Sequence, residues 1–251
     1  MLTDILLLIV GIVVGVMNAI AGGGMLLGFP VLLAIGIPAF VANATSNIII
    51  LPGQLASAYG YRKYLQKVPP VYLWLIPPCA VGAGIGAYIL RHTSSNSFEQ
   101  LVPGLILFAV VLFAFQPLLH FHVHKQLNTK KIDNGPLLYI GLSLLPLAIY
   151  GGYFGAGFGF VMLAFLGFTK LHDVHKMNAL KNLAASTMAV VSIGCLFSAH
   201  LIDWRHGLVM AAGTTIGGYC GSRLAQRVPS HTIRVVVIAI GLITAVYLFL
   251  R

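Results

Sequence analysis

Two glycine-rich stretches interrupt apolar parts of the sequence and lie 135 residues apart. Glycine at the start of a short helix leaves backbone N–H groups unpaired and approachable, and the helix dipole adds roughly half a positive charge there. Two such helix ends meeting inside a membrane would form a site for a small anion. The candidate donors are Gly22, Gly23 and Gly24 in AGGGM, and Gly157, Phe158 and Gly159 in GAGFGF.

A polar motif follows each glycine stretch, NATSN in the first half and NALKN in the second. The paired asparagines are one helical turn apart, so they share a helix face and are predicted to orient the oxygens of an anion. Lys181 stands where the first copy has Ser46, about two turns into its helix, and is predicted to add a positive charge. The candidate binding residues are Asn43, Ser46 and Asn47, and Asn178, Lys181 and Asn182.

Each of these features has an alternative interpretation that the sequence leaves open. The asparagines would serve equally as hydrogen-bonding contacts between helices. Lys181 would reach the cytoplasmic interface if its side chain snorkels. Glycines also let helices pack closely, and GxxxG spacings favour packing over binding. These spacings are Gly82/Gly86, Gly151/Gly155/Gly159 and Gly213/Gly217/Gly221.

The acidic residues lie only at the ends of apolar segments or in loops. A cation transporter or a carboxylate proton relay needs an acid inside the membrane. A membrane-embedded enzyme needs a carboxylate pair, an activated nucleophile or a metal cluster. The sequence therefore predicts no enzymatic activity, no catalytic residue, no metal site and no cofactor. The five acids are Asp4, Glu99, Asp133, Asp173 and Asp203.

The composition identifies the solvent in which these residues must work. Hydrophobic residues make up 59% of the chain and charged residues 8%, which is too little polar surface for a water-soluble domain of 251 residues. Residues 5–61 carry no charge at all. The chain is therefore predicted to be a polytopic membrane protein surrounded by lipid. Its net charge of +10 falls in short loops, so nucleic acid is not an expected partner.

Ten helical segments account for the apolar runs. The second and seventh are too short to cross a bilayer, because about 13 residues of helix span roughly 20 Å against a hydrocarbon core of about 30 Å. Each is predicted to be half of a broken or re-entrant hairpin, and the sequence leaves open which. The predicted segments are residues 4–21, 24–36, 40–61, 69–91, 98–119, 136–155, 158–169, 175–199, 206–225 and 232–250.

An internal repeat relates the two halves of the chain at the same offset of 135 residues, which also aligns Gly82 and Gly86 with Gly217 and Gly221. Five segments per copy is an odd number, so the copies are predicted to be inverted in the membrane. With the N-terminus outside, 12 of the 15 Lys and Arg residues lie on the cytoplasmic side, as the positive-inside rule requires.

The predicted fold is thus an all-α polytopic membrane protein built from two inverted five-segment repeats, each with a broken or re-entrant glycine-rich hairpin. The first repeat covers residues 1–119, and a cytoplasmic linker covers residues 120–135. The linker begins with HFHVH, which is predicted to be a solvated loop. The second, inverted repeat covers residues 136–251.

The stretch AGGGMLLGFPVLLAIGIPAFVANATSNIIILPGQLASAYGYRK resembles the glycine-rich signature of the TauE/SafE sulfite-exporter family. YFGAGFGFVMLAFLGF, followed by MNALKN, resembles its second-half counterpart. The resemblance covers nearly the whole chain and implies a transporter of small sulfur-containing anions, such as sulfite or a sulfonate, in the bacterial cytoplasmic membrane. Phe158 departs from the pattern, since it stands where the first copy has Gly23, and it predicts unequal half-sites.

The leading hypothesis is a secondary transporter that exports such an anion by alternating access around a midplane site. An interior-negative potential favours anion exit by about 2.3 kcal/mol per charge per 100 mV, so export needs no coupled ion. The alternatives are an importer of thiosulfate or another small anion, which would need a coupled ion, and a channel or accessory membrane subunit. The anion, the coupling ion and the oligomeric state, a homodimer included, are left open.

Overall fold

The computed structural model describes residues 2–126, 137–167, 169, 171, 173–197 and 201–225, and every element within them is helical. A 3₁₀ helix at Pro70–Leu75 leads directly into α5. The α-helices are α1 (Leu2–Ile20), α2 (Met25–Ala34), α3 (Ala39–Gly60), α4 (Arg62–Leu65), α5 (Ile76–His92), α6 (Ser95–Gln126), α7 (Leu137–Tyr153), α8 (Phe158–Gly167), α9 (Val174–Phe197) and α10 (Trp204–Leu224).

Most helix bounds agree with the predicted segments within three residues, and three regions differ. The short helix α4 falls in a predicted loop. The fourth segment opens as a 3₁₀ helix because Pro69 and Pro70 fix the backbone and lack N–H donors. Helix α6 continues past its predicted end, so the HFHVH stretch is helical rather than a loop. The rest of the predicted linker, residues 127–135, and the tenth segment, residues 232–250, lie outside the described residues.

Within the part of the chain that the structure describes, three helical spans are long and apolar enough to cross a membrane: Leu2–Ile20, Pro70–His92 and Val174–Phe197. Helices α2 and α8 have 10 residues each. At 1.5 Å per residue they reach about 15 Å, half of a hydrocarbon core, so the prediction that these two segments are too short to cross is confirmed. The chain is a multi-pass membrane protein with two short apolar helices.

The two halves of the chain are packed into one another. Helix α1 packs along α10, and α5 packs along α7. Shifting the sequence by 135 residues places α1 on α7, and places the 3₁₀ helix and α5 on α10. The two helix pairs therefore correspond to each other. The equivalent helices α3 and α9 contact each other, and they also contact α10 and α5 respectively. Each half therefore completes its packing with helices of the other half.

Glycines bring these helices into backbone contact. A Cβ atom at Gly213 of α10 would overlap the carbonyl oxygen of Leu8 in α1. A Cβ atom at Gly86 of α5 would overlap the carbonyl oxygen of Ile149 in α7. Because both obstacles are backbone atoms of a packed helix, larger residues could not be accommodated by a side-chain rotation. The packing role predicted for the GxxxG spacings in α5 and α10 is confirmed.

Candidate functional site

The two glycine-rich helix breaks lie directly against each other inside the helix bundle. The contact joins Gly22, between α1 and α2, to Gly159, at the start of α8. A Cβ atom at Gly159 would lie 2.6 Å from the Cα of Gly22, and one at Gly22 would lie 2.7 Å from the Cα of Gly159. These two breaks, separated in sequence by more than half of the chain, therefore form one structural feature.

Local hydrogen bonding and positive φ angles fix each break. At the first, the N–H groups of Ala21 and Gly22 donate to the carbonyl of Met17 at 2.9 and 3.0 Å, and Gly22 has a φ of 99°. A left-handed glycine is a common way for a helix to end. At the second break Gly155 and Gly157 have φ angles of 75° and 82°. Both breaks thus use backbone conformations that other residues adopt only with strain.

Half of the predicted backbone donors are used inside the protein. The N–H of Gly22 belongs to the turn at Met17, and the N–H of Gly24 donates to Oδ1 of Asn18 at 2.8 Å. The N–H of Phe158 donates to the carbonyl of Gly155 at 3.2 Å. For the others, no hydrogen-bond partner lies within the described part of the chain. They are the N–H groups of Gly23, Gly157 and Gly159.

A cavity of about 30 Å³ lies beside the contact between the breaks. Since about 10–15 Å³ of such space holds one water molecule, it has room for about two or three. The second break contributes more of its predicted residues to the lining than the first. The predicted residues that line the cavity are Gly22, Asn47, Gly157, Phe158 and Gly159.

Two residues of the first glycine stretch serve packing instead. A Cβ atom at Gly23 would overlap the ring of Phe160, and one at Gly24 would overlap the carbonyl oxygen of Val14. The N–H of Gly24 is also committed to Asn18. Close approach to other parts of the protein therefore accounts for glycine at both positions.

Lys181 is the only buried Lys or Arg among the described residues, with 1% of its surface exposed. Its Nζ donates to the carbonyl oxygen of Asn18 and to Oδ1 of Asn178, both at 2.8 Å. The alternative that this side chain snorkels to the interface is therefore wrong. Asn18 lies near the C-terminal end of α1, where the helix dipole is negative and favours a cation. Asn18 also lines the cavity, so the ammonium group contacts a residue that borders that space.

The remaining predicted side chains are not among the residues that line the cavity. Nδ2 of Asn43 donates to the carbonyl oxygen of Tyr153 at 2.8 Å, which ties α3 to the end of α7. The hydroxyl of Ser46 donates to the carbonyl of Ala42 within its own helix at 2.8 Å. Asn182 is buried, and its Nδ2 has no partner among the described residues. Asn43 therefore joins α3 to α7, whereas Asn178 accepts a hydrogen bond from Lys181 within α9.

Two polar lining residues were not among the predicted binding residues, namely Asn18 and Gln54. Gln54 lies seven residues after Asn47 in α3, with Ile50 between them at a spacing of three, so all three share one helix face. That periodicity is visible in the sequence and could have identified Gln54. Asn18 directly precedes the first break, but its approach to the cavity depends on how α1 packs.

The start of α10 is fixed near the site by Asp203. Its backbone N–H donates to the hydroxyl of Thr45 in α3 at 2.9 Å. Its carboxylate caps α10 by accepting the N–H of His206 at 3.1 Å, and the His206 ring nitrogen Nδ1 lies 2.7 Å from the second oxygen. Burial alone would raise the pKa of Asp203, but the hydrogen bonds and charge of His206 outweigh it and hold that pKa below its usual value.

Comparison with known proteins finds relatives along nearly the whole chain. The model of the family described as "Sulfite exporter TauE/SafE" matches residues 7–248. A "Probable membrane transporter protein" of Haemophilus influenzae is 30% identical over 242 residues, covering 93% of this chain and 89% of the relative.

Two further relatives come from other bacteria. The "Probable membrane transporter protein YfcA" of Escherichia coli strain K12 is 25% identical, covering 94% of this chain and 85% of the relative. The "Probable membrane transporter protein YunE" of Bacillus subtilis strain 168 is 24% identical, covering 94% and 95%. No solved structure matches the chain.

Proposed function

The chain belongs to the sulfite exporter TauE/SafE family, and from that premise we propose that it exports a small sulfur-containing anion, such as sulfite or a sulfonate, across the bacterial cytoplasmic membrane. The family and the relatives identify a membrane transporter. The substrate, the direction and the mechanism are our inference from the residues around the two helix breaks.

The observation that carries this proposal is the cavity between the breaks and the groups that face it. The N–H groups of Gly157 and Gly159 have no partner among the described residues, and both glycines line the cavity. The amides of Asn18, Asn47 and Gln54 line it as well. Hydrogen bonds to a charged group contribute about 1.5–3 kcal/mol each, so a few of them would hold an anion weakly enough to release it.

Alternating access is the transport mechanism that this arrangement supports. The packing of α1 on α10 has its counterpart in the packing of α7 on α5. An inverted repeat would give such paired contacts, and transporters of that kind bind substrate between discontinuous helices and rock one part against another. The present cavity is too small for a four-atom oxyanion with its water, which is expected if a substrate enters only when the bundle opens.

Export is the direction of transport that needs no binding site for a coupled ion. A membrane potential that is negative inside drives an anion outward by about 2.3 kcal/mol per charge per 100 mV. An importer of thiosulfate or another anion would have to bind a driving cation, and the described residues include no buried carboxylate for one. Export of one anion per cycle is therefore the simpler proposal.

Flux measurements in liposomes containing only this protein test the proposal. Liposomes loaded with sulfite should release it faster than protein-free liposomes, at a rate that saturates with sulfite concentration and increases with the imposed potential. Flux that rises linearly without saturation would identify a channel. Uptake that requires an ion gradient would identify an importer, and a complete lack of flux in folded protein would support an accessory subunit.

A further inference from the structure

Gln54 lines the cavity with a buried amide whose oxygen has no hydrogen-bond partner among the described residues. Its side chain is 7% exposed and lines the space beside the two breaks. Its Oε1 is buried without a hydrogen-bond partner among the described residues. A buried amide oxygen without a partner is unfavourable, and such groups in native proteins are usually satisfied by a ligand or water.

An amide differs from a backbone N–H group in what it can recognise. It carries a donor and an acceptor, whichever way the amide plane is turned. Oxygens of an anion can accept from the donor, as they can from the N–H groups of Gly157 and Gly159. The acceptor oxygen of Gln54 gains a partner from the ligand itself only if the ligand brings an O–H or N–H group of its own; with any other ligand, a water molecule has to supply the donor. Facing a fully deprotonated oxyanion, that oxygen would be repelled.

The charge around the cavity limits the charge of the ligand. Among the described residues Lys181 is the only buried Lys or Arg, and no Asp or Glu is buried. Its ammonium donates at 2.8 Å to the carbonyl oxygen of Asn18, a residue that lines the cavity. The cost of burying an ion in a medium of low dielectric rises steeply with its charge. One buried cation balances one negative charge and leaves a dianion half compensated.

We infer that the cavity selects a monoanion that carries its own hydrogen-bond donor, such as hydrogen sulfite, over a dianion or a monoanion with no donor. The amide oxygen of Gln54 accepts a hydrogen bond from the donor of the ligand. The N–H groups of Gly157 and Gly159 and the ammonium of Lys181 favour a ligand with a single negative charge. This inference rests on the proposed function, since it specifies which protonation form of a sulfur oxyanion the transporter takes. It adds a specificity-determining residue to those already proposed for binding.

Three anions with five non-hydrogen atoms each separate the two requirements. Sulfamate is a monoanion with N–H donors, methanesulfonate is a monoanion without one, and sulfate is a dianion without one. Each is titrated against the purified protein at neutral pH, and binding is followed by the increase in melting temperature that a ligand of the folded state produces. Sulfite serves as the reference ligand.

Sulfamate is expected to bind roughly 10-fold more tightly than methanesulfonate, which corresponds to one neutral hydrogen bond. Sulfate is expected to bind at least roughly 10-fold more weakly than methanesulfonate, because its second charge has no partner. In Gln54→Met the difference between the two monoanions should fall below about 2-fold, while their advantage over sulfate stays. Gln66→Met makes the same change at an exposed glutamine and should keep both preferences.

Two results would overturn the inference while leaving the proposed function intact. One is sulfite binding together with sulfate binding as tight as that of the monoanions. The other is an undiminished preference for sulfamate in Gln54→Met. If neither sulfite nor any of the three anions stabilises the natural protein, the proposed function itself fails and this inference fails with it. The anion series on the natural protein gives a result even if the variant does not fold.

Discussion

Replacing Gly159 by alanine tests the contact between the two helix breaks. The added Cβ atom would lie 2.6 Å from both the Cα and the carbonyl oxygen of Gly22. Both are backbone atoms of the opposite half, held by the turn at Met17, so the conflict can be relieved only by separating the breaks. Overpacking of this kind costs about 1–3 kcal/mol.

Gly194→Ala is the matched control for this substitution. Gly194 lies in α9, and a Cβ atom there would meet nothing within 4 Å. Alanine is favoured over glycine in a helix by about 1 kcal/mol, so this variant should be slightly more stable than the natural protein. The two substitutions are chemically identical and are expected to change stability in opposite directions.

Thermal unfolding of the purified protein in detergent measures both effects. For a chain of this size, about 1 kcal/mol corresponds to roughly 2–4 °C, so Gly159→Ala should melt about 2–12 °C below the natural protein. Stabilisation by sulfite should decrease as well, because the cavity lies between the displaced breaks. A melting temperature of Gly159→Ala equal to that of Gly194→Ala would show that the breaks do not touch in the folded protein.

Three further predictions concern polar side chains that join or cap helices. Lys181→Met should weaken anion binding by at least about 10-fold, as measured by ligand-induced shifts in melting temperature, because one charged donor is lost. An unchanged affinity would mean that the ammonium only stabilises the end of α1. Asn43→Leu leaves the carbonyl of Tyr153 without its donor and should lower stability by about 1–3 kcal/mol in thermal unfolding, with an unaltered melting temperature counting against that role. Asp203→Ala removes a helix cap and should cost about 0.5–2 kcal/mol. His206 lowers the pKa of Asp203, so the stability that ionised Asp203 contributes is present above the unfolded-state pKa of about 4 and is lost as pH falls through the lower folded-state pKa. The melting temperatures at pH 7 and pH 3.5 should therefore differ less in Asp203→Ala than in the natural protein.

The helices and their breaks could be predicted because their causes are local. A run of apolar residues sets each helix, and a glycine cluster sets each break, so α2 and α8 were expected close to their observed bounds. The repeat also predicted that Gly22 and Gly157 would be equivalent, and both have positive φ angles. The 3₁₀ helix after Pro69 was missed because its geometry depends on two adjacent prolines at the entrance of a longer apolar run.

The partners of the buried polar groups could not be predicted, because each is reached across the bundle. Nothing near Lys181 in the sequence indicates that its ammonium reaches Asn18 in α1. Asn43 was expected to face an anion, but its amide meets the end of α7. Gln54 is the opposite case, since its helical spacing from Asn47 is visible in the sequence and places both residues on the helix face that lines the cavity. Sequence periodicity predicts which residues share one face of a helix. Which helix packs against that face depends on the tertiary structure.

The packing of α1 on α10 also determines when the protein can finish folding. About 180 residues separate the end of α1 from the start of α10. At a synthesis rate of about 5–20 residues per second, the first helix waits roughly 10–40 seconds in the membrane before its main partner has been made. Throughout that interval its glycine face, with Gly11 and Gly15, is available to other membrane helices. Chains truncated before α10 would keep the contacts of α1 with α2 and α3 but would leave this glycine face without its partner helix.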